Sequence, residues 1–335
     1  LSKTVVLLLC GGQSPEHEIS LRSSRNVVEA IDTTLFELII VGIKLDGSWV
    51  LLEHIPEGIQ ITEGTPVSLT PGQKAIYVSD KKKQPLAFDV VFPLLHGPNG
   101  EDGTVQGLLQ LLNVPFVGPN LLGSAVAMDK AVAKAQMQAF GIPLAKGLTL
   151  VSPRQYTYDE LVAELGLPLF IKPANMGSSV GVHKVKDEAS FEHAIEDAFC
   201  YDNKVIAEEM IDGRELECAV LGLSEHVEVT RPGEIVAEEE YSFAEKYSDS
   251  SETRLDIPAE NIDKDKVTEL KQMAKNAFLA LNCEIMSRVD MFLTEAGGIY
   301  VNEVNTIPGF TNISMYPQLW EKEGLSYTDL ITKLL

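Results

Sequence analysis

The sequence predicts an α/β protein that opens with a parallel sheet and continues in mixed, increasingly antiparallel segments. Three observations carry that prediction. Short apolar runs alternate with helical patterns over roughly the first 120 residues, as in an open α/β sheet. From residue 215 onward, strand-like alternation recurs at short spacing and closes with a hairpin turn at Thr294-Glu295-Ala296-Gly297-Gly298. The chain has 335 residues, 45% of them hydrophobic, which is enough for two or three domains.

Residues 4–9 are almost continuously apolar and end at Gly11-Gly12, the pattern of a strand buried on both faces. A helix is expected over 20–31, a strand over 36–43, and another over 88–95 ending at His96-Gly97. Residues 104–112 read as helix and 114–117 as a short strand. In open α/β sheets ligands sit beyond the carboxyl ends of the strands. Two polar segments leave such ends, around Gln13-Ser14-Pro15-Glu16 and along Pro98-Asn99-Gly100-Glu101-Asp102-Gly103. A helix is expected from Met128-Asp129-Lys130 to about Phe140, stopped by Gly141-Ile142-Pro143. Strands follow at 168–172 and 180–185, a helix at 188–199, and a strand at 205–208. The antiparallel part then reads as strands at 215–221, 226–230 and 235–236, a polar stretch at 238–253, a helix at 264–281, and strands at 284–293 and 299–304.

The formal net charge of −22 argues against nucleic acid and anionic membranes as partners. No apolar run approaches the roughly 20 residues needed to span a bilayer. The opening apolar run is short and lacks a small-residue cleavage site, so it reads as a strand rather than a signal peptide. The cysteines Cys10, Cys200, Cys218 and Cys283 are widely spaced, the usage of reduced thiols in a cytoplasmic protein.

The last hairpin concentrates chemistry. Side chains alternate along a strand, so Arg288, Asp290 and Phe292 share one face, and Val301, Glu303 and Asn305 share one face of the return strand. Folding about Ala296 sets Asp290 opposite Asn302 to Glu303. Two carboxylates and an amide oxygen are hard ligands of the kind Mg²⁺ takes beside nucleotide phosphates; a solvated, charged strand face is the competing reading.

In Phe170-Ile171-Lys172-Pro173-Ala174-Asn175-Met176-Gly177-Ser178-Ser179-Val180-Gly181-Val182 a lysine closes an apolar strand, which is costly unless it meets an anion. The glycines and serines after it let backbone N–H and hydroxyl groups approach phosphate oxygens. No GxxxxGK[ST] occurs. Gly177 to Gly181 matches GxSxG with Ser179 at its centre, but that motif requires a following helix and a strand pattern follows here, so a plain hairpin turn is the stronger alternative. His96 at a strand end points towards ligand contact, against a satisfied core histidine as the default. Residues 305–317 form a long apolar loop, a type that is usually functional.

With these residues laid out, the chain closely resembles the D-alanine–D-alanine ligase family, a branch of the ATP-grasp enzymes. The resemblance runs through GGQSPEHEIS, LHGPNGEDGTVQG, AMDK, FIKPANMGSSVGV, EKY, RVDMFL and VNEVNTIPGFTNISMYP, in the family's order and over nearly the whole chain. It implies an N-terminal α/β substrate domain over 1–122, then two α+β domains, 123–212 and 213–335, that sandwich ATP. It implies ATP-dependent joining of two D-alanine molecules for the bacterial cell wall, through an acyl phosphate.

The same resemblance implies roles for individual residues. Lys130 and Lys172 would meet the ATP phosphates, with Ser179 in a covering loop. Glu208, Glu209 and Ile211 would surround the adenine, with Phe292 and Asn302 in the same pocket and Glu215 on the ribose. Asp290, Glu303 and Asn305 would hold two Mg²⁺ ions, with Mn²⁺ as a substitute. Lys246 would close over the γ-phosphate. Glu16, Ser178 and Tyr247 would form a hydrogen-bonded set, and Glu16 would also take the ammonium of the first D-alanine, near His96. Arg288 and the backbone N–H of Gly309 would face the oxyanion, and Ser314 and Met315 the second D-alanine. A homodimer through the first domain is implied as well. Glu209 departs from the Lys common in relatives, and Tyr247 favours an amine over a hydroxy acid as second substrate.

Overall fold

The computed structural model describes residues 2–79, 84–224, 226–236 and 254–335. The first part comprises β1 (Thr4–Gly11), α1 (His17–Ala30), β2 (Phe36–Ile43), β3 (Trp49–Leu52), β4 (Thr65–Leu69), β5 (Ala75–Val78), β6 (Leu86–Ala87), β7 (Val90–Pro93), α2 (Thr104–Leu111) and α3 (Leu121–Met128). Its strands run in the order β6-β5-β4-β3-β2-β1-β7. Among its described strands only β1 pairs in parallel, with β2 and β7; the remaining pairs are antiparallel. The expected parallel sheet is thus confined to the β2-β1-β7 end, and the rest is an antiparallel meander that carries no long apolar run. Residues 114–117 give one parallel bridge, Val91 to Phe116, instead of a strand. β1 is buried on both faces because two cores use it: Val6, Leu8 and Cys10 enter one, Leu7 and Leu9 the other.

The central part comprises α4 (Lys130–Ala139), β8 (Gly147–Leu150), α5 (Tyr158–Leu165), β9 (Leu169–Pro173), β10 (His183–Val185), α6 (Glu188–Tyr201) and β11 (Val205–Glu209). The expected helix from Met128 begins at Lys130, because the Asp129 side chain caps it by accepting from the N–H groups of Ala131 and Val132. β9 and β10 are antiparallel neighbours, so GxSxG lies in a hairpin turn and not in a strand-to-helix elbow. The sheet order is β10-β9-β11-β8, and α5 and α6 cover it with a core of its own.

The last part comprises β12 (Arg214–Leu223), β13 (His226–Val229), β14 (Gly233–Val236), β15 (Arg254–Asp256), α7 (Lys264–Ala280), β16 (Ile285–Leu293), β17 (Ile299–Asn305), α8 (Met315–Lys322) and α9 (Tyr327–Leu334). Its path is β15-β14-β12-β16-β17, all antiparallel, with β13 beside β12. The loop expected over 305–317 gives way to α8 at Met315. Phe310, Tyr316, Trp320 and Leu330 share a core with Val6, Leu8 and Phe92 of the first sheet. The first and last parts are therefore welded through common apolar burial. Among the described residues no helix is long and apolar enough to cross a membrane.

Candidate functional site

Three neighbouring strands of the last sheet place the ionisable residues in register. Glu217 of β12 pairs with Asp290 of β16, which pairs with Glu303 of β17; Arg288 pairs with Asn305. The register shifts between Asp290 and Met291, leaving Asn302 as the extra residue of a β-bulge. The bulge overturns the expected face of the return strand. Val301 is turned into the core with Val304, while Glu303 and Asn305 face the cleft. It also lets Asn302 reach the cleft, where its Oδ1 accepts from Lys172 at 3.5 Å.

Arg288 forks onto Asp290, Nε to Oδ1 and Nη2 to Oδ2, both at 2.7 Å. Its Nε also lies 3.0 Å from Glu217 Oε2. Burial opposes the guanidinium's charge, but Asp290 and then Glu217 outweigh it and hold its pKa well above the ordinary arginine value. Asn305 Nδ2 donates to Asp290 Oδ2 at 2.9 Å. Among the described residues no three His, Cys, Asp or Glu gather in metal-binding geometry. The candidate set is two carboxylates and an amide, whose hard oxygens fit Mg²⁺.

The facing wall belongs to the central sheet. The Glu208 carboxylate lies between two ammonium groups, 2.6 Å from Lys172 Nζ and 2.6 Å from Lys134 Nζ. Burial opposes ionisation on both sides. Glu208 and Glu303 still hold Lys172 above the usual lysine range, and the two lysines hold Glu208 below the usual carboxyl range. Lys130 at the start of α4 donates to Met176 O at 2.8 Å and lies 3.4 Å from Glu303, so it ties the Gly/Ser turn to β17. Glu209 turns to the other face of β11, where its Oε1 accepts from the Lys146 N–H at 2.8 Å. Its side chain is therefore committed to the residue before β8, and what it offers the cleft is backbone. Ile211 follows β11, and Glu215 on β12 stands opposite Phe292 on β16, at the edge of the same cleft.

The third side comes from the first sheet. Ser178 and Ser179 both adopt left-handed backbone, φ 52° and 60°, and the Ser178 hydroxyl donates to Glu16 across 162 residues of sequence. Close approach explains Gly97: its φ is +73°, and a Cβ there would lie 2.3 Å from Glu16 Oε2. His96 uses both ring nitrogens. Nδ1 lies 3.0 Å from the Ile307 carbonyl, which can only accept, so Nδ1 carries the proton and Nε2 accepts from Ser23 Oγ at 3.1 Å. Burial pushes the imidazole's pKa down and keeps it neutral. His96 thus docks the 306–312 loop onto α1 as well as standing near Glu16. Glu101 does the same from the other side, accepting from Gly97 N–H at 2.7 Å and Ile307 N–H at 3.0 Å. Gly309 lies in that loop, where a Cβ would meet Ser314 Oγ at 3.0 Å. Ser314 is the N-cap residue of α8, and its Oγ accepts from the Thr311 N–H at 3.1 Å. The Met315 side chain is in the core against Gly233, so it can offer a ligand only its backbone at the start of α8.

Lys246 and Tyr247 lie outside the described residues. Sequence reasoning missed Lys134, Glu217, Glu101 and Ser23. Lys134 sits one helical turn after Lys130, a spacing that could have signalled a shared face. Glu217, two residues after Glu215 on an alternating strand, could have been read the same way. Glu101 fell within a polar segment already singled out but was given no role, because Ile307 lies in another part of the chain, and Ser23 gave no local signal.

The profile described as "D-ala D-ala ligase N-terminus" matches residues 5–119, and "D-ala D-ala ligase C-terminus" matches 136–335. The chain is 46% identical to a D-alanine--D-alanine ligase of Shouchella clausii, with 100% of this chain and 94% of that protein covered. The structure of the D-alanine-D-alanine ligase from Coxiella burnetii superposes with a TM-score of 0.87 at 37% identity, covering 100% of this chain and 93% of that one. The VanG D-Ala:D-Ser ligase from Enterococcus faecalis gives 0.86 at 36% identity, covering 99% and 98%.

Proposed function

The chain belongs to the D-alanine–D-alanine ligase family, and from that premise we propose that it joins two D-alanine molecules into D-alanyl-D-alanine for peptidoglycan precursors, converting ATP to ADP and phosphate. The observation that carries this reading is the pairing of walls: Arg288, Asp290 and Glu303 in register on one sheet, and Lys172 with Lys134 on the other. A carboxylate is a poor acyl donor and must be activated. The first D-alanine is held by its ammonium at Glu16, and its carboxylate oxygen attacks the γ-phosphorus, which breaks the bond to ADP and yields an acyl phosphate. Lys130 and Lys172 balance the phosphate charge, the main task in phosphoryl transfer. Mg²⁺ or Mn²⁺, as two ions held by Asp290, Glu303 and Asn305, adds charge neutralisation at the phosphates when bound.

The amine of the second D-alanine, deprotonated, then attacks the acyl carbon. Arg288 and the Gly309 N–H face the tetrahedral oxyanion, Ser314 and the backbone of Met315 hold the second substrate, and phosphate leaves. Glu208, Glu209, Ile211, Glu215, Phe292 and Asn302 form the nucleoside pocket, with Ser179 covering the phosphates. Lys246 closes over the γ-phosphate, and Tyr247 joins Glu16 and Ser178 and favours an amine as the second substrate. We divide the chain into domains 1–122, 123–212 and 213–335, and place it in the cytoplasm as a homodimer through the first domain. The free, buried thiols of Cys10, Cys218 and Cys283 support a reducing compartment.

The test is phosphate release with ATP and Mg²⁺ on adding D-alanine, L-alanine, or D-alanine with D-serine or D-lactate, with products identified by mass. Release with D-alanine alone, giving the dipeptide, is expected. A dominant mixed product with D-serine or D-lactate would move the second-substrate assignment, and no release with any of them would overturn the ligase reading.

A further inference from the structure

The sheet register leaves one buried acid without a role in the reaction as described. Glu217 sits on β12 beside Asp290, is buried, and approaches the Nε edge of Arg288 that Asp290 also occupies. Arg288's own cross-strand neighbour on β12 is Ala219, small enough for the guanidinium to lie across it towards Glu217. The Arg288 side chain keeps 19% exposure, against 5% for Glu217 and 6% for Asp290. The two acids therefore grip the arginine from behind and leave its far end to the cleft.

The grip has to survive metal binding. Both Asp290 oxygens are committed to Arg288, at 2.7 Å each. A carboxylate that turns a lone pair to a divalent cation gives up part of that fork, and a guanidinium beside a cation is repelled by it. Glu217 stands on the side of Asp290 away from Glu303. It lies two strands from Glu303, roughly 10 Å at the usual strand spacing, and the Glu303 carboxylate is turned to Lys130.

We propose that Glu217 is a positioning residue that holds the Arg288 guanidinium on its reactive aim when the cation draws Asp290 away. This rests on the ligase reading of the site. It predicts a residue that acts on turnover through Arg288 and contributes little to nucleotide or metal capture.

The experiment compares the full-length parent with Glu217→Gln, Glu217→Leu, Glu303→Gln, Arg288→Ala and the Glu217→Leu/Arg288→Ala double variant. Turnover, KM for ATP, thermal midpoint and Mn²⁺ affinity in the absence of substrates are measured for each. Glu217→Gln keeps an acceptor of the same shape and is expected to fold and to lose roughly tenfold in kcat, while Glu217→Leu loses about 10²-fold, approaching the loss of an oxyanion donor. KM for ATP should stay within about threefold of the parent, and Mn²⁺ affinity should fall far less in Glu217→Gln than in Glu303→Gln. The double variant should be no slower than Arg288→Ala, because the two act as a unit. Multiplying losses, a parent-like kcat in Glu217→Leu, or a Mn²⁺ loss matching Glu303→Gln would each overturn the proposal. A parent without D-alanine-dependent phosphate release would instead overturn the ligase reading, and the Mn²⁺ comparison would still test whether Glu217 is a metal ligand.

Discussion

On the C-terminal sheet a cation, Arg288, lies between two carboxylates; on the central sheet an anion, Glu208, lies between two ammonium groups. Each cluster is buried, and each is left one charge short of balance, negative on the first wall and positive on the second. The imbalance suits what each wall would meet, divalent cations on one side and phosphate oxygens on the other. The strongly acidic chain therefore does not use its overall charge to set its site. It buries ions in clusters of three, where solvent screening is weak, and leaves one excess charge in each.

The largest effect is expected from Arg288→Ala, which should lower kcat by about 10²–10³-fold. It also leaves Glu217 and Asp290 facing each other without their shared cation. Its thermal midpoint should therefore drop, and Mg²⁺ should restore more of it than Mg²⁺ adds to the parent. A variant with parent-like turnover would break the first half of the comparison.

Glu208→Ala tests the opposite wall. It strips two buried lysines of their common partner, at a cost of about 3–5 kcal/mol in unfolding free energy. ATP should recover part of that loss, because phosphates then meet Lys172. Denaturant unfolding with and without ATP reads both quantities; unchanged stability would mean that Glu208 is not what balances this wall.

Gly97→Ala carries the comparison to the N-terminal loop, where packing rather than charge sets the geometry. The added Cβ would fall 2.3 Å from Glu16 Oε2 on a backbone at φ +73°. A stability loss of about 1–3 kcal/mol is expected from the strained backbone, together with a raised KM for D-alanine. An unchanged KM would remove Glu16 from the substrate's ammonium.

The smallest effect is a pH dependence at the seam between the first and last parts. Burial first, and the Glu16 charge second, push the Glu101 carboxyl up to about 8 from an ordinary 4.5. Its protonated form is favoured by folding, so its contribution is full below pH 4.5 and is lost as pH rises through about 8. The thermal midpoint of the parent relative to Glu101→Gln should accordingly fall between about pH 5 and pH 8.5. A constant difference across that range would show that Glu101 does not titrate there.

Part of each wall was legible in the sequence. A lysine ending an apolar strand and three charged or amide residues on a hairpin announce themselves within a few positions, because strand alternation is local. The turn after Lys172 was readable for the same reason, since alternation resumed where an elbow would need a helix. Local pattern failed where a partner came from elsewhere. Glu217 and Lys134 look like ordinary surface charges until β12 is laid beside β16 and α4 over β11. Alternation also misassigned Val301, because a bulge at Asn302 reverses the faces after it, and a bulge is set by the pairing of two strands.

The doubly buried β1, the closing hairpin of β16 and β17, and the short polar segments that leave strand ends were all legible from the residues alone. Composition, period and turn residues fix such features through backbone sterics and the burial of apolar surface, and these act between near neighbours. No local pattern shows that the first and last parts share a core, that His96 and Glu101 clasp the 306–312 loop, or that each wall buries an ion between two of opposite sign. Those arrangements depend on Coulomb and packing energies between residues far apart in the chain, which exist only once the sheets have been brought together.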